Sequence, residues 1–224
     1  MVQSKFSNNI NTLKEIKYSK FERIHSDKVN DIQLINISKN KKYLITASVD
    51  CTIIISELDT LKYLHYLIFN PNLNINSNKL LIRSIEYDNN YLYSLMSPLK
   101  GASYISKWNI NNGFIPLKTK KISDNVCLRM KISGINLIVG QVNGNITHID
   151  KETLSNNYNK NFHIMAVNSI AIVNKDIVFS SGPDRMISSH KIKYKRLISI
   201  SKAIFIIIIS FFIYLFLRRI QRIK

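Results

Sequence analysis

The stretch His25–Ser56, HSDKVNDIQLINISKNKKYLITASVDCTIIIS, decides the fold. Val29–Ile35 alternates apolar and polar residues and reads as a strand with one buried face. Ser38, Lys39, Asn40 and Lys41 make a turn. Tyr43–Ser48 gives a second strand, Val49-Asp50-Cys51 a tight turn, and Thr52–Ser56, rich in β-branched residues, a third. Such a succession is an antiparallel meander with His25 before its first strand and Asp50 in its second turn. Three weaker versions follow. Leu81–Tyr87, the turn at Asp88-Asn89-Asn90, Tyr91–Leu95 and Tyr104–Trp108 form one. Val126–Ile132, Leu137–Gly140, the hairpin turn Asn143-Gly144-Asn145 and Ile146–Ile149 form another. His163, Val167–Val173, Ile177–Ser181, the turn at Asp184 and Met186–His190 form the last. Polar stretches from Asn70 to Lys79 and from Asn156 to Asn161 read as loops between units.

Asn143 and Asp184 are 41 positions apart, and Asp50 and Asn143 are 93 apart, about two periods. A repeat of about 40–45 residues is the period of a propeller blade. A sandwich or a barrel would also accommodate short strands, but the recurring His…Asp spacing favours blades. The first unit resembles a WD repeat, in which a His before the first strand and an Asp in the later turn join a Ser or Thr in a hydrogen-bond network. His25, Asp50 and Ser48 stand at those positions, and Ser56 replaces the usual terminal Trp. The resemblance implies a role in holding strands together rather than in catalysis.

The carboxy-terminal run Ala203–Leu217, AIFIIIISFFIYLFL, has no charge. Extended back to Leu197 it becomes a 21-residue span, roughly 31 Å as a helix and suited to a thin bilayer. It admits only Lys202, whose stem can reach the headgroups. Basic residues Lys191, Lys193, Lys195 and Arg196 precede it; Arg218, Arg219, Arg222 and Lys224 follow. The first twenty residues lack an apolar signal region. A tail anchor is therefore expected, with the amino-terminal domain in the cytosol. The expected organisation is all-β: residues 1–20 fit part of an incomplete blade, 21–196 form a cytosolic WD-repeat β-propeller region with about four recognisable blades, 197–217 form one transmembrane helix, and 218–224 form a short basic lumenal tail.

The formal charge of +18 is spread along the chain rather than gathered into a stripe, so no nucleic-acid partner is expected. No phosphate loop, zinc-binding helix motif, nucleophile elbow or paired-carboxylate motif is present. Cys51 and Cys127 lack zinc spacing and read as strand residues in a reducing compartment. His25, His65, His148, His163 and His190 form no ligand cluster in sequence. No catalytic, cofactor-binding or metal-binding residue is assigned.

Blades followed by an anchor resemble the PREB (SEC-twelve) family of endoplasmic-reticulum exchange factors. Lys100-Gly101-Ala102-Ser103-Tyr104-Ile105-Ser106-Lys107-Trp108 resembles that family's KG-x-S-x-I-x-KW blade strand. Leu137–Gly140 with Asn143–Ile146 and His148-Ile149-Asp150 resembles another blade. His163, Val167–Ile170 and Asp184 resemble its last one. The likeness covers residues 21 to 217. It implies guanine nucleotide exchange on the SAR-type small GTPase that initiates COPII vesicle formation and ER-to-Golgi protein transport. It also implies other COPII components as partners and the endoplasmic-reticulum membrane as the location. The family has seven blades and a Gly-rich, potassium-binding loop in the first; here the first glycine is Gly101, and no counterpart of that loop is found. A membrane-tethered scaffold without exchange activity is thus the alternative. A partner chain, closure as four blades or a missing exon would each account for the smaller number of blades. Lys39, Lys41 and Lys42 could meet an acidic GTPase surface, although a solvated turn suits them better. Lys100 and Gly101 identify the blade rather than a contact.

Overall fold

The computed structural model describes residues 23–38, 41–68, 79–88, 90–110, 113–174 and 176–192. Residues 1–20, Lys39, the loop from Asn70 up to Lys79 and the expected anchor 197–217 lie outside the described residues. Among those described, no helix is long and apolar enough to cross a membrane.

The chain divides into two compact units, Met1–Met130 and Lys131–Lys224. In the first, β1 (Val29–Ser38), β2 (Lys41–Ser48), β3 (Thr52–Glu57) and β4 (Tyr63–Ile68) form a sheet in sequence order. A second sheet repeats the plan with β5 (Leu81–Tyr87), β6 (Tyr91–Ser97), β7 (Ser103–Asn109) and β8 (Ile115–Ser123). The third contains β9 (Cys127–Ser133), where the division falls, then β10 (Asn136–Gln141), β11 (Asn145–Asp150) and β12 (Asn156–Asn161). The fourth has three strands among the described residues: β13 (Ser169–Val173), β14 (Ile177–Ser181) and β15 (Ile187–Lys191).

The first unit shows why its sequence folds this way. In β1, Ile35 is buried while Ile32 and Leu34 face solvent, which is the period-2 signature of a sheet with one wet face. In β3, Thr52 through Ser56 are all buried, so a continuous apolar run replaces alternation there. Ile35, Ile45, Ala47, Ile53 and Ile55 pack with Leu80, Ile82, Ile85, Leu92, Met96, Trp108, Ile110 and Phe114 in one core. Each such large side chain contributes about 1.5–3 kcal/mol on burial. Polar bonds fasten β1 to β5: Ser84 Oγ and Ile85 N donate to Asp31 Oδ2 at 2.7 and 2.9 Å. Asn30 Nδ2 donates to the Ile82 carbonyl at 2.7 Å. The second unit has its own core of Ile138, Ile146, Val167, Ile170, Val178 and Ile192.

One expectation is corrected. Asn156–Asn161 is not a loop but strand β12, paired with β11 through His148 and Tyr158. Every residue of it is exposed, so it carries no apolar alternation. The expected turn at Ser38–Lys41 lies where β1 gives way to β2, with Ser38 pairing with Lys41.

Candidate functional site

His25 stands before β1, and its ring closes the second turn of the first sheet. Its Nδ1 lies 2.9 Å from Asp50 Oδ2 and its Nε2 2.8 Å from Thr46 Oγ1. The carboxylate beside Nδ1 places the proton there, leaving Nε2 to accept from the threonine hydroxyl. Asp50 Oδ1 accepts from Thr52 Oγ1 at 2.6 Å and from Thr52 N at 3.0 Å. Asp50 Oδ2 also accepts from Ser26 N at 3.0 Å. Burial pushes the Asp50 carboxyl up, but the bonds from Thr52, His25 and Ser26 outweigh it and hold it below the ordinary value.

The hydroxyl on the ring's Nε2 belongs to Thr46, not to Ser48 as the WD resemblance suggests, and Thr52 Oγ1 stands 3.1 Å from Nδ1. Ser48 Oγ instead donates to the Lys28 carbonyl at 3.0 Å and accepts from Asp50 N at 3.1 Å. Ser56, in the usual Trp position, buries its hydroxyl without a hydrogen-bond partner.

The fourth sheet repeats the arrangement. His163 Nδ1 lies 2.9 Å from Asp184 Oδ2 and Nε2 2.9 Å from Ser180 Oγ. Burial raises the Asp184 carboxyl, yet the Met186 amide, His163 and the Ile164 amide together hold it low. In both sheets the hydroxyl sits on the second strand, four residues before the aspartate, a spacing visible in the sequence that reading the turn alone passes over. The second sheet keeps the complementary piece: Trp108 Nε1 donates to Ser94 Oγ at 2.9 Å.

Hydroxyl, imidazole and carboxylate in this order match the wiring of a nucleophilic triad. The exposures decide against that use: Thr46 is 4 % exposed and Ser180 3 %. A nucleophile must reach its substrate, and these cannot. Each group is a clamp that ties the segment before the first strand to the turn after the second.

The remaining candidates are also structural or exposed. Lys42 and Lys100 face solvent, and Lys100 precedes Gly101, whose φ of +113° turns β6 into β7. Ser103 Oγ donates to the Asn125 carbonyl at 2.7 Å, and Lys107 Nζ stands 3.9 Å from the Tyr91 ring centroid. Cys127 is buried, and burial pushes its thiol up to about 12 against opposing bonds from Ser103 and Ser123. Burial raises the Cys51 thiol as well. Neither is a poised nucleophile. No group of three or more His, Cys, Asp or Glu among the described residues could hold a metal ion.

The structure does bring together two histidines that are far apart in sequence. His148 Nε2 on β11 lies 3.0 Å from His190 Nε2 on β15. His190 stacks on Phe162 with centroids 4.3 Å apart, and His148 leans on Tyr158 at 4.9 Å.

No family model matches the chain, and no curated protein matches it. Solved structures do. The computationally designed Ika4 protein is 16 % identical with a TM-score of 0.56, over 75 % of this chain and 94 % of that one. The designed Ika8 protein is also 16 % identical, with a TM-score of 0.54 over 75 % of this chain and 47 % of its own. The β-propeller domain of Myceliophteria thermophila Cps50 (Swd1) is 12 % identical, with a TM-score of 0.59 over 79 % of this chain and 56 % of that one. The chain thus spans about half the length of Ika8 and of the Swd1 domain. At such identities the likeness is one of fold: the chain is an all-β, WD-like β-propeller with four blades among the described residues.

Proposed function

We propose that the chain is a membrane-anchored propeller that acts by binding, and that it is an exchange factor for a SAR-type small GTPase at the endoplasmic reticulum. The observation that carries this reading is the combination of WD-type blades with the apolar run Ala203–Leu217 behind them. The segment Lys100–Trp108, which resembles the PREB family, forms most of β7, the strand that pairs with β6 and carries the Trp108 that bonds Ser94. Exchange needs no covalent chemistry. A propeller surface that binds the nucleotide-free GTPase more tightly than the GDP-bound form lowers the barrier to GDP release. The anchor would confine that activation, and hence COPII assembly, to one membrane.

One observation favours a second reading, a membrane-tethered scaffold without exchange activity. The first unit recognised in the sequence contains no glycine, the first glycine of the chain being Gly101, so no counterpart of the family's Gly-rich exchange loop is found in it. GDP release from the cognate SAR-type GTPase, measured with the full chain in vesicles, separates the two. Acceleration is the expected result. Binding without acceleration, or no binding at all, removes the exchange reading and leaves the scaffold.

A further inference from the structure

Three segments of the second unit meet at one end of its sheets: the β10–β11 turn, the loop 162–168 and the β14–β15 turn. Backbone bonds lock them together. Val167 N donates to the Gln141 carbonyl at 3.0 Å, His163 N to the Gly144 carbonyl at 3.2 Å, and Asn168 N to the Ser181 carbonyl at 2.9 Å. The Ile164 amide donates to Asp184 Oδ2 at 3.3 Å. Gly144 permits the close approach, since at its φ of +84° a Cβ would stand 1.8 Å from the His163 carbonyl oxygen.

This locked frame displays apolar side chains to solvent. Ile164 is 82 % exposed and Ile187 79 %, with Met186, Met165 and Val142 at 50, 49 and 45 %. One exposed Ile is ordinary; five apolar side chains on three fastened segments are not. The methionines can adapt to a partner's shape, and the fixed backbone lowers the ordering cost of docking. Charge on the same frame has one sign. Arg185 is exposed between Asp184 and Met186, whereas Asp184, the one acid in these segments, is buried against His163. A cation within an apolar surface suits apolar side chains accompanied by a carboxylate. On the proposed reading, in which the anchor follows in sequence, β15 begins at this end with Ile187 and leads the chain to Lys191 and Ile192 at the other, which favours a protein over the bilayer as occupant.

We infer that this end of the second unit docks a partner protein through an apolar segment bearing Asp or Glu. The inference does not depend on which protein that is. A photo-crosslinking residue at Ile164 in the full chain, in its native membrane, tests it, with one at exposed Asn157 on β12 as the control. The expected result is an adduct to another protein, whose sequenced crosslinked peptide is apolar and contains Asp or Glu. Ile187→Asp should lower its yield about tenfold or more, as loss of a contact hot spot does; Arg185→Glu should lower it and Arg185→Lys should preserve it. Ile187 is so exposed that its variant should fold, which far-UV circular dichroism checks. Lipid adducts, adducts to a second copy, or no excess over the Asn157 control would each overturn the inference. An adduct on a protein other than the GTPase sustains this surface while weighing against the exchange reading. Unchanged GDP release by Ile187→Asp with no adduct does the reverse.

Discussion

Acidification should loosen the second unit through its histidine pair. His148 and His190 share a 3.0 Å contact between Nε2 atoms, a geometry that holds one proton between two nitrogens and excludes two. Burial, and then the charge of His190, pushes His148 down from 6.5 to about 4. Burial, and then Lys160, lowers His190. Relief from other strands is absent, since β10, β13 and β14 carry no ionisable side chain. Asp150 on β11 is already engaged by the amides of Glu152 and Thr153, and β15 adds only Lys191. The folded protein therefore binds fewer protons than the unfolded chain below the ordinary histidine value. Stability is fully present above about pH 6.5 and drains away as pH falls toward 4. At 1.36 kcal/mol per pH unit, the His148 displacement amounts to roughly 3 kcal/mol, of which about 2 would be lost between pH 7 and pH 5. Urea midpoints of the full chain in micelles, followed by far-UV circular dichroism at the two pH values, measure this loss. His148→Phe, which keeps the ring and removes the titration, should flatten the pH dependence. Equal slopes in the two proteins, or a His148 ring titrating near 6.5 by NMR, would refute the reasoning.

Thr46→Val leaves the His25 ring nitrogen buried without its donor and should cost about 1–3 kcal/mol, read as a lower urea midpoint. In the fourth sheet, Ser180→Ala should act likewise, and a fluorophosphonate probe should leave native Ser180 unlabelled. Ser56→Ala removes a buried hydroxyl that has no partner and should raise stability by about 1 kcal/mol in the same assay. N-ethylmaleimide, followed by mass spectrometry, should modify native Cys127 far more slowly than the urea-unfolded chain, in line with its buried, high-pKa thiol.

The strands facing the cores were legible in the sequence because burial on one or both faces leaves a pattern. Ile177–Ser181 and Leu81–Tyr87 are strands with the bounds the sequence predicts. Outer strands leave no such mark. Tyr63–Ile68 and Ile115–Ser123 carry no strand signature, and Asn156–Asn161 reads as a loop, because mostly wet side chains remove the apolar alternation. The clamps were half legible. His25, Asp50, His163 and Asp184 announced themselves by their spacing, whereas Thr46 was hidden behind Ser48, nearer to the turn and of similar chemistry. The His148–His190 contact has no sequence signature, since 42 residues separate the two rings and packing of one sheet's side chains on the next brings them together.

Trp108 has a spectroscopic consequence. It is the only tryptophan in the chain, 4 % exposed and bonded to Ser94 within the first unit's core. Its emission is a local gauge of that unit, while far-UV circular dichroism sums the strands of both. Melts recorded by the two signals will coincide if the units unfold as one cooperative body. If they part company, the emission midpoint belongs to Met1–Met130, and the difference between the curves is the melting of the rest.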